Sequence, residues 1–245
     1  MDITRFNAAC ELVRQGGRLI KGIGTKSEGS VHAVLKNYFE SEQTSQEVSV
    51  GRFIADIVGE TGIIEIQTSH FKALSEKLRA FLPVTRVTVV FPVYLNKRIV
   101  YISEDGVVER SRVSPLKGSP LGIFREMIYI AEYLRDENLS FKIMVLDCDE
   151  YRVLVPNGKK GRGKTGSVTD RFPTRLIDEI TIASPGDWVK LIPCLHQEDM
   201  TVSDVYAITH APRKAISTAL AVLYRGGILR RTGKKGRAFS YSFSG

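Results

Sequence analysis

Cysteine is scarce in this chain, long apolar runs are missing, and acidic residues nearly vanish from its last fifth. Each shortage excludes something. Three cysteines, Cys10, Cys148 and Cys194, lie far apart in 245 residues; their odd number and spacing exclude a disulfide framework and a zinc knuckle and fit reduced thiols in a cytoplasm. The longest nearly continuous apolar run, Val87 to Leu95, is far shorter than the ~20 residues of a membrane-spanning helix. The opening Met1-Asp2-Ile3-Thr4-Arg5 has no basic start followed by an apolar stretch, so no secretory signal is read there. With 43% hydrophobic and 25% charged residues, disorder throughout is excluded. The expectation is a cytoplasmic protein with no membrane partner.

What is present is unevenly placed. Residues 1–150 carry a net charge of −1, residues 151–200 carry +2, and residues 201–245 carry 8 Lys/Arg against 1 acid. A basic module confined to one segment is the footprint of a nucleic-acid binder, although a solvated tail has the same composition. Lys159, Lys160, Arg162, Lys164 and Arg171 add a second basic cluster among glycines.

Periodicity predicts helices over Ile3 to Gln15, about Lys26 to Glu40, His70 to Phe81, and Leu121 to Arg135. It predicts strands over 46–58, 62–68, Arg86 to Leu95, Arg98 to Ile102 and Phe141 to Val155, with Thr174 to Ile182 helical. The composition changes abruptly at Pro156 to Gly166, a basic loop at a domain boundary. The division expected is a mixed α/β domain over 1–155, a loop and linker over 156–199, and a compact tail over 200–245.

The most informative stretch is Gly51 to Val58, a tight turn at Gly59-Glu60-Thr61-Gly62, and Ile63 to Thr68. Alternate residues of a strand share a face. A hairpin closing about Glu60-Thr61 sets position 58 opposite 63 and sets Asp56 opposite Glu65. Like charges directly opposite destabilise a sheet, and the flanking Ile and Val make a simply solvated face a poor reading. Something positive belongs between them, and a hard divalent cation such as Mg²⁺ or Mn²⁺ suits oxygen ligands.

An Asp on one strand followed by Glu65-Ile66-Gln67 on the next resembles the PD-(D/E)xK nuclease superfamily, with Gln67 in the Lys position. Glu28, His32, Leu35 and Lys36 resemble the His-x-x-Leu-Lys helix that precedes Glu-Ile-Gln in CoiA-like competence nucleases. The similarity covers residues 25–95. It implies a restriction-endonuclease-like αβββαβ core in which Asp56, Glu65 and the Ile66 carbonyl hold one or two Mg²⁺. It further implies roles for Gln67 as a hydrogen-bonding group without charge, Lys36 as a replacement cation, Glu28 as an outer carboxylate and His32 as a water or phosphate contact. Thr25-Lys26-Ser27-Glu28 equally fits a capping box in which Glu28 only satisfies its helix.

Gly158 to Thr165 matches the phosphate-loop pattern G-x-x-x-x-G-K-[ST] letter for letter. A phosphate loop must open directly into a helix, and the Gly, β-branched residues and Pro that follow make a poor one. The basic residues of this loop are therefore read as contacts to a DNA backbone.

In the tail, Thr201 to Ile208 and Arg213 to Arg225 read as helices. Ile228 to Arg231 and Ala238 to Phe243 read as strands joined by Thr232 to Arg237. Helix, turn, helix and basic hairpin resemble a winged helix-turn-helix. In that family the second helix enters the major groove and the wing meets phosphates. Arg213, Lys214 and Ser217 suit the first job, and Lys234, Lys235 and Arg237 the second. Together the modules imply a Mg²⁺-dependent DNA endonuclease with a winged-helix DNA-binding tail, and they leave a homodimer open. The alternative is a DNA-binding regulator or assembly factor whose nuclease-like core has lost catalysis.

Overall fold

The computed structural model describes residues 1–16, 29–103, 106–154 and 166–244. The chain is mixed α/β. In order it forms α1 (Ile3–Gln15), α2 (Ser30–Phe39), β1 (Gln46–Val50), β2 (Phe53–Gly59), β3 (Gly62–Ile66), α3 (Phe71–Phe81), β4 (Val87–Ile102) and β5 (Val108–Val113). Then come α4 (Phe124–Met127), β6 (Leu139–Leu154), β7 (Gly166–Ile182), α5 (Val202–Thr209), α6 (Arg213–Arg225), β8 (Leu229–Lys235) and β9 (Ala238–Phe243). Seven strands form one sheet in the order β1-β2-β3-β4-β6-β7, with β5 paired to β4; β8 and β9 form a separate hairpin. No helix among the described residues is long and apolar enough to cross a membrane.

The chain divides into two compact units. One comprises 1–44, 94–118 and 144–179, the other 45–93, 119–143 and 180–245. The long strands β4, β6 and β7 contribute residues to both. The units do not coincide with the boundaries read from composition at 155 and 200. The reason is burial: Ile216, Leu220 and Leu223 of the tail belong to one apolar cluster with Trp188, Phe71 and Phe124, so the tail shares the second unit's core.

In the first unit α1 and α2 pair through Phe6 and Tyr38, whose rings meet edge-on at 6.0 Å. Asp2 starts α1 by accepting the Arg5 N–H at 2.9 Å. For α2 the cap comes from far along the chain. Asp170 on β7 accepts the Ser30 N–H at 3.0 Å and also binds the Ser30 hydroxyl, satisfying donors a helix start leaves open. Residues 25–28, where the local capping box was expected, lie outside the described residues.

In the second unit β1, β2 and β3 form an antiparallel meander, α3 crosses over, and β4 returns parallel to β3 with Glu65 beside Val89. Gly51, at φ +60°, turns the chain between β1 and β2, so the single strand expected over 46–58 is two. Gly62 has φ +120°, and a Cβ there would sit 2.3 Å from the Arg86 carbonyl oxygen. Only glycine permits that approach.

Three other expectations fail. Residues 174–182 are strand, not helix: Ile177, Ile180, Thr181 and Ile182 suit a pleated surface and extend β7. The two strands expected over Arg86 to Leu95 and Arg98 to Ile102 are one, because β4 continues through Asn96, which bonds Asp147 at 2.7 Å. The helix expected over 121–135 is broken into 3₁₀ turns around the short α4. Its buried Leu121, Phe124, Met127 and Ile130 recur every third residue, the period of a 3₁₀ helix.

Candidate functional site: the carboxylate hairpin and the basic tail

The β2–β3 hairpin closes with Gly59 opposite Gly62, Val58 opposite Ile63 and Ile57 opposite Ile64. The backbone ladder recorded there ends one residue short of Asp56 and Glu65. Beyond it the Asp56 side chain takes over, with Oδ2 accepting the Ile66 N–H at 2.7 Å. Asp56 is half-buried, whereas Glu65 is 0% exposed. Burial first, and then the charge of Asp56, push the Glu65 carboxyl up to about 7. Lys77 on α3 pulls the other way: its ammonium donates to Glu65 Oε2 at 2.7 Å and to the Ile54 carbonyl at 2.7 Å. Glu65 Oε1 is buried and has no hydrogen-bond partner among the described residues.

Lys77 is the residue that sequence reasoning missed. The positive group required between the two acids is at least partly a side chain of the protein. Its signal was present: Phe71, Leu74, Leu78 and Phe81 form the buried stripe of α3, and Lys77, three residues after Leu74 and four before Phe81, falls on that stripe. A lysine there needs a partner, and the nearest acidic strand supplies it.

The expected site residues separate as follows. Asp56, Glu65, Ile66 and Gln67 are together on β2, β3 and the residue after it, in the second unit. Gln67 is half-buried, and its N–H bonds the Val90 carbonyl at 2.9 Å. His32 and Lys36 are on α2 in the first unit, with Lys36 only 4% exposed. Glu28, Lys159, Lys160, Arg162 and Lys164 lie outside the described residues. The segment that follows the phosphate-loop pattern is strand β7, so the helix that such a loop requires is absent there. Among the described residues no group of three or more His, Cys, Asp or Glu is placed to hold a metal ion.

The tail forms its helices and hairpin where the sequence predicts them. A capping box starts α5: the Thr201 N–H donates to Asp204 at 2.7 Å, and Thr201 Oγ1 accepts the Ser203 N–H at 3.2 Å. The Thr201 hydroxyl, which donates to Asp204 Oδ2 at 2.7 Å, and then the Thr201 N–H hold the Asp204 carboxyl below its ordinary range. Arg213, at the start of α6, lies 4.4 Å over the Tyr206 ring and donates to Ser203 Oγ at 3.2 Å. Lys214 and Ser217 are exposed on α6. The hairpin is longer than expected, since Lys234 pairs with Phe239 and Lys235 with Ala238, leaving Gly236-Arg237 as the turn. Arg231 was not foreseen. It stacks on Tyr224 at 4.4 Å and Phe239 at 4.1 Å, and Lys234 sits 5.1 Å over the same Phe239. Rings that cover a guanidinium face leave its N–H edge for an anion. None of the tail's 8 Lys/Arg forms an ion pair among the described residues.

No solved structure matches the chain. A protein of Treponema pallidum (strain Nichols), described as uncharacterized, is 36% identical over 143 residues, 58% of this chain and 56% of that protein. The alignment thus spans little more than half of either. The family model described as domain of unknown function DUF8091 matches residues 29–183, which takes in α2, the carboxylate hairpin and the long strands and stops before the basic tail. The chain belongs to the DUF8091 family.

Proposed function

We propose that this protein is a metal-dependent DNA endonuclease whose acidic pair, Asp56 and Glu65, holds Mg²⁺ or Mn²⁺ and whose basic tail holds DNA. The observation that carries the reading is Glu65: a wholly buried carboxylate beside a second acid, with one oxygen that has no hydrogen-bond partner among the described residues. Such a group is stable only if something compensates it. The residues fit a hard cation, because Glu65 Oε1, the Asp56 carboxylate and the Ile66 carbonyl are all oxygen donors. The order α–β–β–β–α–β over residues 30–102, with the last strand parallel to the third, is the order that the nuclease resemblance implies.

The chemistry a bound cation supplies in such a site is polarisation of the scissile phosphate and a lower pKa for the attacking water. The protein's own groups do the rest. Asp56, fixed by the Ile66 N–H, holds its carboxylate at the edge of the ladder. Gln67 offers a neutral amide to water or phosphate but takes no proton. Lys77 supplies the positive charge that Gln67 lacks, opposing but not cancelling the burial that raises Glu65 and, when Glu65 is engaged elsewhere, standing free for a phosphate oxygen. In the tail, Arg213, Lys214 and Ser217 meet the groove while Arg231, Lys234, Lys235 and Arg237 meet phosphates.

A second reading has its own support. Lys77 already neutralises one oxygen of Glu65, and Gln67 cannot act as a base, which favours a DNA-binding regulator with a silent nuclease-like core. Incubating supercoiled plasmid with the protein, with Mn²⁺, Mg²⁺ or chelator, separates the two. Nicking that needs the metal supports the endonuclease. Retained plasmid binding without nicking supports the regulator.

A further inference from the structure

The first unit holds a second charged cluster that plays no part in the carboxylate hairpin. Glu150 on β6 is 1% exposed. Three cations converge on its two oxygens. Arg152 donates from Nε at 2.9 Å and from Nη2 to Oε1, Arg171 donates from Nε at 2.9 Å to Oε2, and the Lys97 ammonium stands 3.6 Å from Oε2. Burial would raise the Glu150 carboxyl, but Arg152, Arg171 and Lys97 outweigh it and hold the group below its ordinary range. Glu150 is therefore ionised at neutral pH, and one negative charge faces three positive ones.

The surplus is not absorbed by neighbouring acids. Asp147 is taken by Arg175 at 2.8 Å and by Asn96 at 2.7 Å and Asp149 by Arg98; Asp170 keeps its charge, but its hydrogen bonds go to Ser30 at the start of α2, which leaves the three cations still in excess. Nor are the donors used up. At 3.6 Å the Lys97 ammonium is beyond hydrogen-bond length, and among the described residues it has no acceptor. Both terminal nitrogens of Arg171 and one of Arg152 likewise have no acceptor among the described residues. The Arg171 guanidinium is held in place, 5.4 Å over the Tyr94 ring. The side chains keep solvent access, at 23% for Lys97, 31% for Arg152 and 38% for Arg171.

Partly buried like charges repel unless an anion lies among them. Guanidinium groups held by a carboxylate on one edge, with free N–H donors on the other, are matched to tetrahedral oxyanions. We propose that Lys97, Arg152 and Arg171 form a phosphate-binding site, in which Glu150 is the internal strut that positions the cations. The ligand is a phosphate group, carried either by a nucleic-acid backbone or by a small phosphorylated molecule. The site stands on the first unit alone and does not depend on the endonuclease reading.

The test uses the full chain at pH 7.5 with three probes: inorganic phosphate, pyrophosphate and a short single-stranded oligonucleotide. Binding is read by calorimetry and by thermal shift. The wild type should bind at least one probe; tight binding of the oligonucleotide alone assigns a nucleic-acid backbone, and binding of pyrophosphate or phosphate assigns a small ligand. Lys97→Gln, the mildest change because that ammonium has no hydrogen bond to lose among the described residues, should weaken binding about 10-fold while leaving the melting temperature nearly unchanged. Arg171→Gln should weaken it further. Glu150→Gln should melt lower without ligand but be stabilised more than the wild type by the bound probe, since the internal competitor is gone. Failure of all three probes to bind the wild type overturns the proposal, as does unchanged affinity in Lys97→Gln. A Glu150→Gln protein that stays folded but gains no extra stabilisation from the probe overturns it too. Tail variants serve as the control: oligonucleotide affinity that falls only when Lys234, Lys235 and Arg237 are replaced assigns the binding to the tail and removes this site.

Discussion

Glu65 makes a sharp prediction about pH. In the folded protein its carboxyl titrates at about 7, against an ordinary value of 4.5. The folded state therefore binds a proton more tightly than the unfolded state. Below pH 4.5 both forms are protonated and Glu65 contributes nothing to the difference. Between 4.5 and about 7 the unfolded chain loses its proton first, so stability falls as pH rises, and above that window the loss is complete. At about 1.4 kcal/mol per pH unit, the whole loss is roughly 3 kcal/mol, equivalent to a melting-temperature drop of roughly 6 to 12 °C for a chain of this size. Glu65→Gln keeps the shape and removes the titration. Urea or thermal unfolding of both proteins in chelator, from pH 4.5 to 8, should give curves that meet near pH 4.5 and diverge by that amount at pH 8, with the variant the more stable. Added Mg²⁺ should close the gap by stabilising the wild type alone. Parallel curves for the two proteins would refute the reasoning, because they would mean that Glu65 is compensated in full by Lys77.

Two further outcomes follow from geometry elsewhere. Gly62→Ala should destabilise the second unit by about 2 kcal/mol or more, since its backbone lies at φ +120° and the new Cβ would meet the Arg86 carbonyl; chemical denaturation reads this directly, and a neutral result would contradict the hairpin geometry. Replacing Lys234, Lys235 and Arg237 by Gln should lower the slope of log affinity for duplex DNA against log salt by about 2 to 3, with unfolding unchanged because all three are exposed. Replacing these side chains is the right perturbation, whereas deleting the tail would remove Ile216, Leu220 and Leu223 from a shared core.

Much of the second unit was legible in the sequence because its signals are local. The two-residue turn between Gly59 and Gly62 fixes the register of β2 on β3 as far as Ile57 opposite Ile64, next to Asp56 and Glu65, and the tail's caps, glycines and apolar spacing mark its helices and hairpin. What was not legible depends on partners distant in the chain. Asp170 caps α2 from well over a hundred residues away. The strand at 174–182 carries Leu176 and Ile180 at helical spacing, and its β-branched residues are held extended along the edge of β6. Lys77 was passed over because a lysine on a helix usually reads as solvated surface. The same blindness hid Glu150, whose three cations come from β4, β6 and β7. Arg231 escaped for a different reason: stacking on Tyr224 and Phe239 has no short sequence signature.

The most direct measurement of the central claim is plasmid nicking in Mn²⁺ or Mg²⁺ by the wild type, Asp56→Asn and Glu65→Gln, with duplex binding measured on the same preparations. The account predicts metal-dependent nicking by the wild type, its loss in both variants by a factor of about 100 or more, and nearly equal binding by all three. Nicking that persists in both variants, or that proceeds equally in chelator, would contradict it.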